Sequence, residues 1–317
     1  MTATGKHAAV AVESIAIYVC THERNEPLVA LLESLNTAAA TVQPKTEIGV
    51  VVVDDNPDGR AKSIVDSFDH GYSLGLQYRH TGSRNISIAR NAGLEAAMGM
   101  AQWVAMVDDD QVAAGNWLEA LIETQAQTGA DAVTGPVPLR YSSDAPSWIR
   151  DEPFAEILEA GLGVEGAKVD VCSTGNSMLR SDFLREHPDI RFRSDLGKVG
   201  GEDMVFYRAA IEAGLDARYS VDAVCFGEQP PERSTYRYQV WACYWMGNTE
   251  FVTNYENGRA GKPWLALRGS RRMVEGLIRP IQRVAKGKNP QVRFAGAAVA
   301  RGLGTLVGVA GLRVRHR

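Results

Sequence analysis

The chain has 317 residues, 45% apolar and 23% charged, enough to bury a sizeable core without disulfide or metal staples. Its four cysteines lie far apart with no CxxC pair, which argues against zinc clusters and thioredoxin-type redox motifs and suits reduced thiols in a cytosolic protein. The net charge of −4 hides an asymmetry: from residue 259 onward 14 Lys/Arg face one acid, a net of +13, which leaves −17 for the rest.

Residues 1–13 read as an N-terminal tail, with no uninterrupted apolar run before Glu13 and hence no signal-peptide character. "IAIYVC" (15–20) predicts a strand, and "EPLVALLESL" a helix with Leu28, Leu31, Leu32 and Leu35 at helical spacing. "EIGVVVVDD" predicts a second strand ending in Asp54 and Asp55, followed by a helix near 59–68 and a short strand, "LGLQYRH". "ISIARNAGLEAAMGMA" is helical, and "WVAMV" (103–107) is a buried strand that ends in Asp108, Asp109 and Asp110. "NWLEALIETQAQTG" predicts a helix with a glycine stop, and "ADAVTGPV" a further strand.

Strands alternating with helices predict βαβ units and a largely parallel sheet, and continuous apolar strands predict burial on both faces. Such sheets bind ligands beyond the carboxyl ends of their strands. Thr21–His22, Asp54–Asp55 and Asp108–Asp110 all occupy such ends and should converge on one edge. After about residue 136 the alternation loosens into a turn-rich, proline-bearing stretch. "VDVCSTGNSMLR" reads as a strand kinked at Gly175, "GGEDMVFYRAAIEAG" as a helix entered through two glycines and two acids, and "DARYSVDAVCF" as a strand. Helices dominate from Ser234, with a boundary near residue 258.

Asp-x-Asp after a buried strand suits a hard divalent cation, which would supply the positive charge that three adjacent carboxylates lack. The alternative is a solvated acidic turn whose side chains cap local N–H groups. Glu202 and Asp203 form a second acidic site, or simply the acidic first turn that a helix dipole favours. Tyr236, Tyr238, Trp241, Tyr244 and Trp245 suit ring-stacking contacts with a ligand, but their helical spacing fits core better. Trp148, in a proline-rich loop without an obvious core, is the better ligand-contact candidate.

Six segments in order, from about residue 14 to 255, resemble inverting family 2 glycosyltransferases of GT-A fold. They are "IAIYVCTHERNEPLVALLESL", "VVVVDDNPDG", "SRNISIARNAGLEAA", "AMVDDDQVAAGNWLEAL", "STGNSMLRSDFL" and "GGEDMVFYRAA". The resemblance implies a Rossmann-like, mostly parallel α/β sheet with flanking helices over residues 14–258, divided into a nucleotide-sugar half (14–136) and an acceptor half (137–258). A basic helical extension, 259–317, follows.

The same resemblance implies the site residues. Thr21, His22, Glu23 and Arg24 form the first turn, with His22 where relatives stack an aromatic on the base and Glu23 where asparagine is common. Asp55, with Asp54 beside it, reads the uracil edge; Arg90 sits near pyrophosphate and base; Asp109 faces the ribose. Asp110 and Asp108 hold Mn²⁺ or Mg²⁺ on the diphosphate, with Glu228, ahead of a Pro-x-x-Arg, as a further metal or diphosphate contact. Asp203 is the catalytic base, facing Asp110 across a cleft, and Glu202 is its neighbour. Trp148, Gly200 and Gly201 lie on the acceptor side.

The implied donor is a UDP-sugar, and the implied acceptor a saccharide, lipid-linked saccharide or glycolipid hydroxyl. Residues 259–317 mix basic and apolar side chains and could lie on an anionic membrane face or pack as a helical cap; no nucleic-acid partner is expected. No stretch reaches the roughly 18–20 apolar residues of a spanning helix, and the nearest candidate is broken by Arg301. One rival is a haloacid-dehalogenase-type phosphatase using Asp108 and Asp110, although that strand normally lies near the N-terminus. Another is a non-catalytic nucleotide-sugar-binding protein.

Overall fold

Period-2 alternation splits the central strands between two cores. The computed structural model describes residues 11–43, 45–154, 163–256, 258 and 260–315. A seven-stranded sheet has the order β3-β2-β1-β4-β8-β6-β9. Its strands are β1 (Ser14–Thr21), β2 (Glu47–Asp54), β3 (Gly75–His80), β4 (Trp103–Asp108), β6 (Ala132–Thr134), β8 (Asn176–Arg180) and β9 (Ala217–Tyr219). β1 runs parallel to both β2 and β4, as β2 does to β3; β8 is antiparallel to both its neighbours, β4 and β6. The segment read as one kinked strand through Gly175 pairs only from Asn176. The segment read as one strand over 216–226 is two: β9 and β10 (Cys225–Gln229). β10 belongs to a small second sheet of order β5-β10-β7, with β5 at Gln111–Ala113 and β7 at Leu139–Tyr141.

Ile15, Ile17 and Val19 of β1 face one way with Trp103, Ala105 and Val107 of β4. They meet helix α1 (Asn25–Val42) through Leu28, Leu31, Leu32 and Leu35, and helix α4 (Trp117–Thr128) through Trp117 and Leu121. α1 continues beyond the expected Leu35 because Ala38, Ala39 and Val42 extend its apolar stripe. Ala16 and Tyr18 face the other way with Val104 and Met106, against Ala89, Leu94 and Ala97 of helix α3 (Ile86–Met100). The short helices α2 (Lys62–Ser67), α5 (Trp148–Asp151) and α6 (Ser181–Glu186) precede α7 (Glu202–Glu212), whose Phe206 and Tyr207 join this second core.

Two compact units emerge from the packing. One holds Met1–Leu139, Gly161–Gly197 and Glu202–Glu228; the other holds Arg140–Ala160, Lys198–Gly201 and Gln229–Arg317. The second unit contains helices α8 (Tyr236–Glu250), α9 (Lys262–Ala285) and α10 (Val292–Val309). α10 is long and apolar enough to cross a membrane by length and composition alone, beyond what the sequence reading expected. Its glycines are used for close packing instead. A Cβ on Gly304 would lie 1.9 Å from the Tyr244 carbonyl of α8, and one on Gly302 2.5 Å from the Gly269 carbonyl of α9. Midway along α10, Arg301 donates to buried Glu250 of α8 at 3.1 Å, and Arg272 of α9 shares that carboxylate at 2.5 Å.

Gly93 sets the approach of α3 to the sheet: a Cβ there would sit 2.6 Å from the Tyr18 ring. Helix propensity favours alanine over glycine by about 1 kcal/mol, but overpacking costs about 1–3 kcal/mol. The clash should win, so Gly93→Ala is expected to lower stability in urea unfolding; a stabilised variant would show that Tyr18 yields freely.

Candidate active site

Register brings the polar strand ends together. Thr21 is opposite Asp54, Cys20 opposite Asp108, and Asp54 opposite His80. Because β4 alternates, Asp108 lies on the face of Val104 and Met106, the side covered by α3 and α7. There Arg90, buried on α3, donates through Nη2 to Asp108 Oδ1 at 3.3 Å and through Nη1 to Glu202 Oε1. Its guanidinium lies 5.8 Å from the Phe192 ring centroid. Burial works to lower the Arg90 pKa, but Glu202 and then Asp108 hold it above its ordinary value.

Glu202 opens α7 and is buried; burial raises its pKa, Arg90 opposes the rise, and Asp203 adds to it. Its Oε2 is buried with no hydrogen-bond partner among the described residues. Asp203, half-buried beside it, accepts from the Met204 N–H at 2.8 Å. It is near enough to raise the pKa of Asp108, which burial raises first and Arg90 lowers. The Asp108 side chain is 43% exposed, so solvent tempers that rise. Two details escaped the sequence reading. Gln111 Oε1 accepts from the Asp108 N–H at 3.3 Å. Gly175 leaves room at the same carboxylate, since a Cβ there would lie 2.9 Å from Asp108 Oδ2. The isolated glycine was the only signal of that close approach.

The other aspartates divide by partner. Asp109 turns inward: Oδ2 accepts from Thr21 Oγ1 at 2.8 Å and Oδ1 from Arg24 Nη1 at 2.7 Å. Burial pushes its pKa up to about 6, against the pull of Arg24. Its oxygens thus hold the first turn to the third. The same Arg24 nitrogen reaches Asp110 Oδ2 at 2.9 Å.

Asp54 is likewise occupied. It accepts from the N–H groups of Asn56 (2.9 Å) and Ala61 (2.8 Å) and from Tyr78 Oη (3.1 Å). Asp55 accepts from Thr81 Oγ1 (2.8 Å), Ser83 N (2.9 Å), Ser83 Oγ (2.6 Å) and Asn85 N (2.6 Å). A base-reading Asp55 would have to give up one of these. The geometry assigns it to fastening loop 81–85, which delivers the N-cap of α3, where Asn85 accepts from Ser87 N and Ile88 N. His22 is exposed after β1, and Glu23 has a φ of +60°, a left-handed conformation that asparagine adopts more readily. Glu228 on β10 lies beside the acidic run, its N–H donating to the Asp110 carbonyl at 2.9 Å.

Within the second unit, Trp148 is no coreless loop residue. It opens α5 and packs edge-on against Phe154 at 5.3 Å and Tyr236 at 6.1 Å. Gly200 and Gly201 have φ of +91° and +87° and lie against α8, where a Cβ on Gly200 would meet the Trp245 ring at 2.2 Å. Close packing explains both glycines. The α8 aromatics are not buried core: Tyr238, Trp241 and Trp245 form a half-buried ladder with centroids 5.9 and 6.3 Å apart.

The family model described as glycosyl transferase family 2 matches residues 16–187. The chain belongs to that family. It is 33% identical to the succinoglycan biosynthesis protein ExoM of Rhizobium meliloti, over 77% of this chain and 74% of the relative. It is 30% identical to the glucosyl-dolichyl phosphate glucuronosyltransferase of Haloferax volcanii, over 75% of this chain and 76% of that one. Among solved structures, S. aureus TarS 1–349 in complex with UDP-GlcNAc aligns with a TM-score of 0.53 at 16% identity, covering 89% of this chain and 90% of that one. The sheet and its flanking helices thus have the GT-A architecture, and the enzyme is a glycosyltransferase rather than the phosphatase that Asp108 and Asp110 also suggested.

The described residues contain no ready-made group of three metal-ligating side chains. Mg²⁺ is commonly held by one or two carboxylates plus substrate phosphates, and half-exposed Asp108 with Asp110 offers that hard-oxygen pair. The donor set therefore fits a divalent ion completed by a diphosphate.

Removing one member of a buried pair leaves an uncompensated charge, at a cost of about 3–5 kcal/mol. Arg90→Met should destabilise the fold on that scale in urea unfolding, and Glu202→Gln added to it should recover part of the loss. Additive losses would show that the pair is not coupled.

Proposed function

We propose that this family 2 enzyme is a metal-dependent inverting glycosyltransferase that moves a sugar from a UDP-sugar to a hydroxyl of a saccharide, lipid-linked saccharide or glycolipid. The catalytic domain is 14–258, and 259–317 is a basic extension that meets an anionic membrane surface on the cytoplasmic side. The observation that carries the reading is Arg90, which clasps Asp108 at the strand end and Glu202 beside Asp203. The relatives' names support the acceptor class: one belongs to succinoglycan biosynthesis, the other acts on a glucosyl-dolichyl phosphate. TarS, alike in fold, binds UDP-GlcNAc.

In this reading Asp203 removes the proton from the acceptor hydroxyl as its oxygen attacks the anomeric carbon. The bond from that carbon to the diphosphate breaks in the same displacement, and the nucleotide leaves with the electron pair. Arg24, a third exposed and anchored by Asp109 and Asp110, offers guanidinium N–H groups to the diphosphate. A divalent ion held by Asp108 and Asp110, with Glu228 nearby, would stabilise charge on the leaving group. Glu202 and Arg90 hold the opening of α7 against the strand end, so Asp203 keeps a fixed place. Thr21, His22 and Glu23 bound the nucleotide side.

UDP release measured across a panel of UDP-sugars should require Mn²⁺ or Mg²⁺ and stop with a chelator. Failure of every nucleotide sugar to bind would sink the reading. Asp203→Asn should keep donor affinity while transfer falls by about 10²–10⁴-fold; full activity in that variant would remove Asp203 as the base.

A further inference from the structure

Helix α9 has two unlike faces. At 100° per residue, Leu265, Gly269, Arg272 and Gly276 share one. That face packs on α10: Cβ atoms on Gly269 and Gly276 would lie 2.9 and 2.8 Å from the carbonyls of Gly302 and Ala295. The opposite face carries Leu267, Val274, Leu277, Ile278, Ile281 and Val284, from 41% to 71% exposed. This stripe runs roughly 26 Å along the helix. Contiguous exposed aliphatic surface on that scale marks an interaction site rather than ordinary surface.

The charges around the stripe identify the occupant. Arg271 pairs with Glu275, the only acid after residue 258, at 2.6 Å. Lys262 stands at one end of the helix, and exposed Lys286 and Lys288 follow the other. Arg268 is 41% exposed and lies over the half-exposed Trp264 ring at 5.1 Å. An indole between an apolar stripe and cationic side chains suits the water–lipid boundary. A second copy of the same surface would bring like charges together, whereas anionic headgroups complement them.

We propose that α9 lies in the plane of an anionic lipid bilayer. Its 267–284 stripe enters the acyl boundary, and Lys262, Arg268, Lys286 and Lys288 meet the headgroups. α10 instead packs its glycines on α8 and α9 and binds Glu250 through Arg301. This deepens the membrane partner proposed above, yet it rests on surface chemistry that sugar transfer does not use.

The test is co-sedimentation of the full chain with vesicles of phosphatidylcholine alone or mixed equally with phosphatidylglycerol. Binding should favour the anionic vesicles, weaken with salt, and blue-shift an emission component absent from Trp264→Phe. Leu277→Glu with Ile281→Glu should weaken binding by about tenfold or more, with thermal unfolding unchanged. Lys286→Gln and Lys288→Gln, beyond the helix and least able to disturb folding, should each cost roughly fivefold. The proposal falls if neither vesicle binds or if the Leu277/Ile281 variant binds as before. It also falls if the wild-type chain instead forms a dimer that this variant abolishes. Because the assay contains no donor, its failure leaves the glycosyl-transfer reading intact.

Discussion

The buried guanidinium of Arg90 is the constraint around which the candidate site is arranged. It reaches Asp108 at the end of a central strand and Glu202 at the start of α7, two positions 94 residues apart in sequence. Desolvating a guanidinium is expensive unless charged partners compensate it, and here two carboxylates do. The result is a fixed relation between a strand end that suits a leaving diphosphate and a helix start that suits a base. The strand register places Asp108, the N-cap of Asn85 starts α3 in the right phase, and Gly93 lets α3 close on Tyr18.

Five aspartates at strand ends look alike in sequence and differ sharply in what they hold. Asp54 and Asp55 accept backbone and hydroxyl donors from their own turns, and Asp109 binds Thr21 and Arg24. These three shape the edge of the sheet. Asp108 and Asp110 flank Asp109 at a spacing of two residues, and they are the pair whose chemistry suits a cation. The sequence order shows that the carboxylates converge, because period-2 strands with apolar cores fix the direction of each strand end. It does not show which carboxylate finds a backbone partner, because that depends on turn geometry several residues away. Asp55 is the clearest case: its four donors come from residues 81, 83 and 85, none predictable from the Val-Asp-Asp stretch itself.

The same distinction explains the fold-level outcomes. The parallel strands and long helices of the first half were legible because their apolar periodicity is strong and uninterrupted. The second half was harder, since β7 and β9 each span only three residues, the first unread and the second merged with β10 into one expected strand. Strands that short carry too few alternations to announce themselves. β5 also hid because its pairing with β10 is non-local, between residues near 112 and 226. Trp148 misled for a related reason: its core is assembled from Phe154 and Tyr236, which no local pattern connects.

The C-terminal helices show how composition can point in two directions until packing decides. α10, read alone, is apolar enough to span a bilayer, and α9, read alone, is a charged helix with scattered aliphatics. Packing reverses the emphasis. Along α10, Gly302 and Gly304 serve backbone-to-backbone approach, and of its two arginines Arg301 pairs with buried Glu250. The charged helix keeps the exposed apolar surface, because its arginines at 272 and 279 turn inward to Glu250 and Gln291. A helix whose cations serve internal contacts on one face can afford aliphatics on the other only where something apolar meets them. In the reading proposed above, the membrane-facing element is the helix with the less apolar sequence.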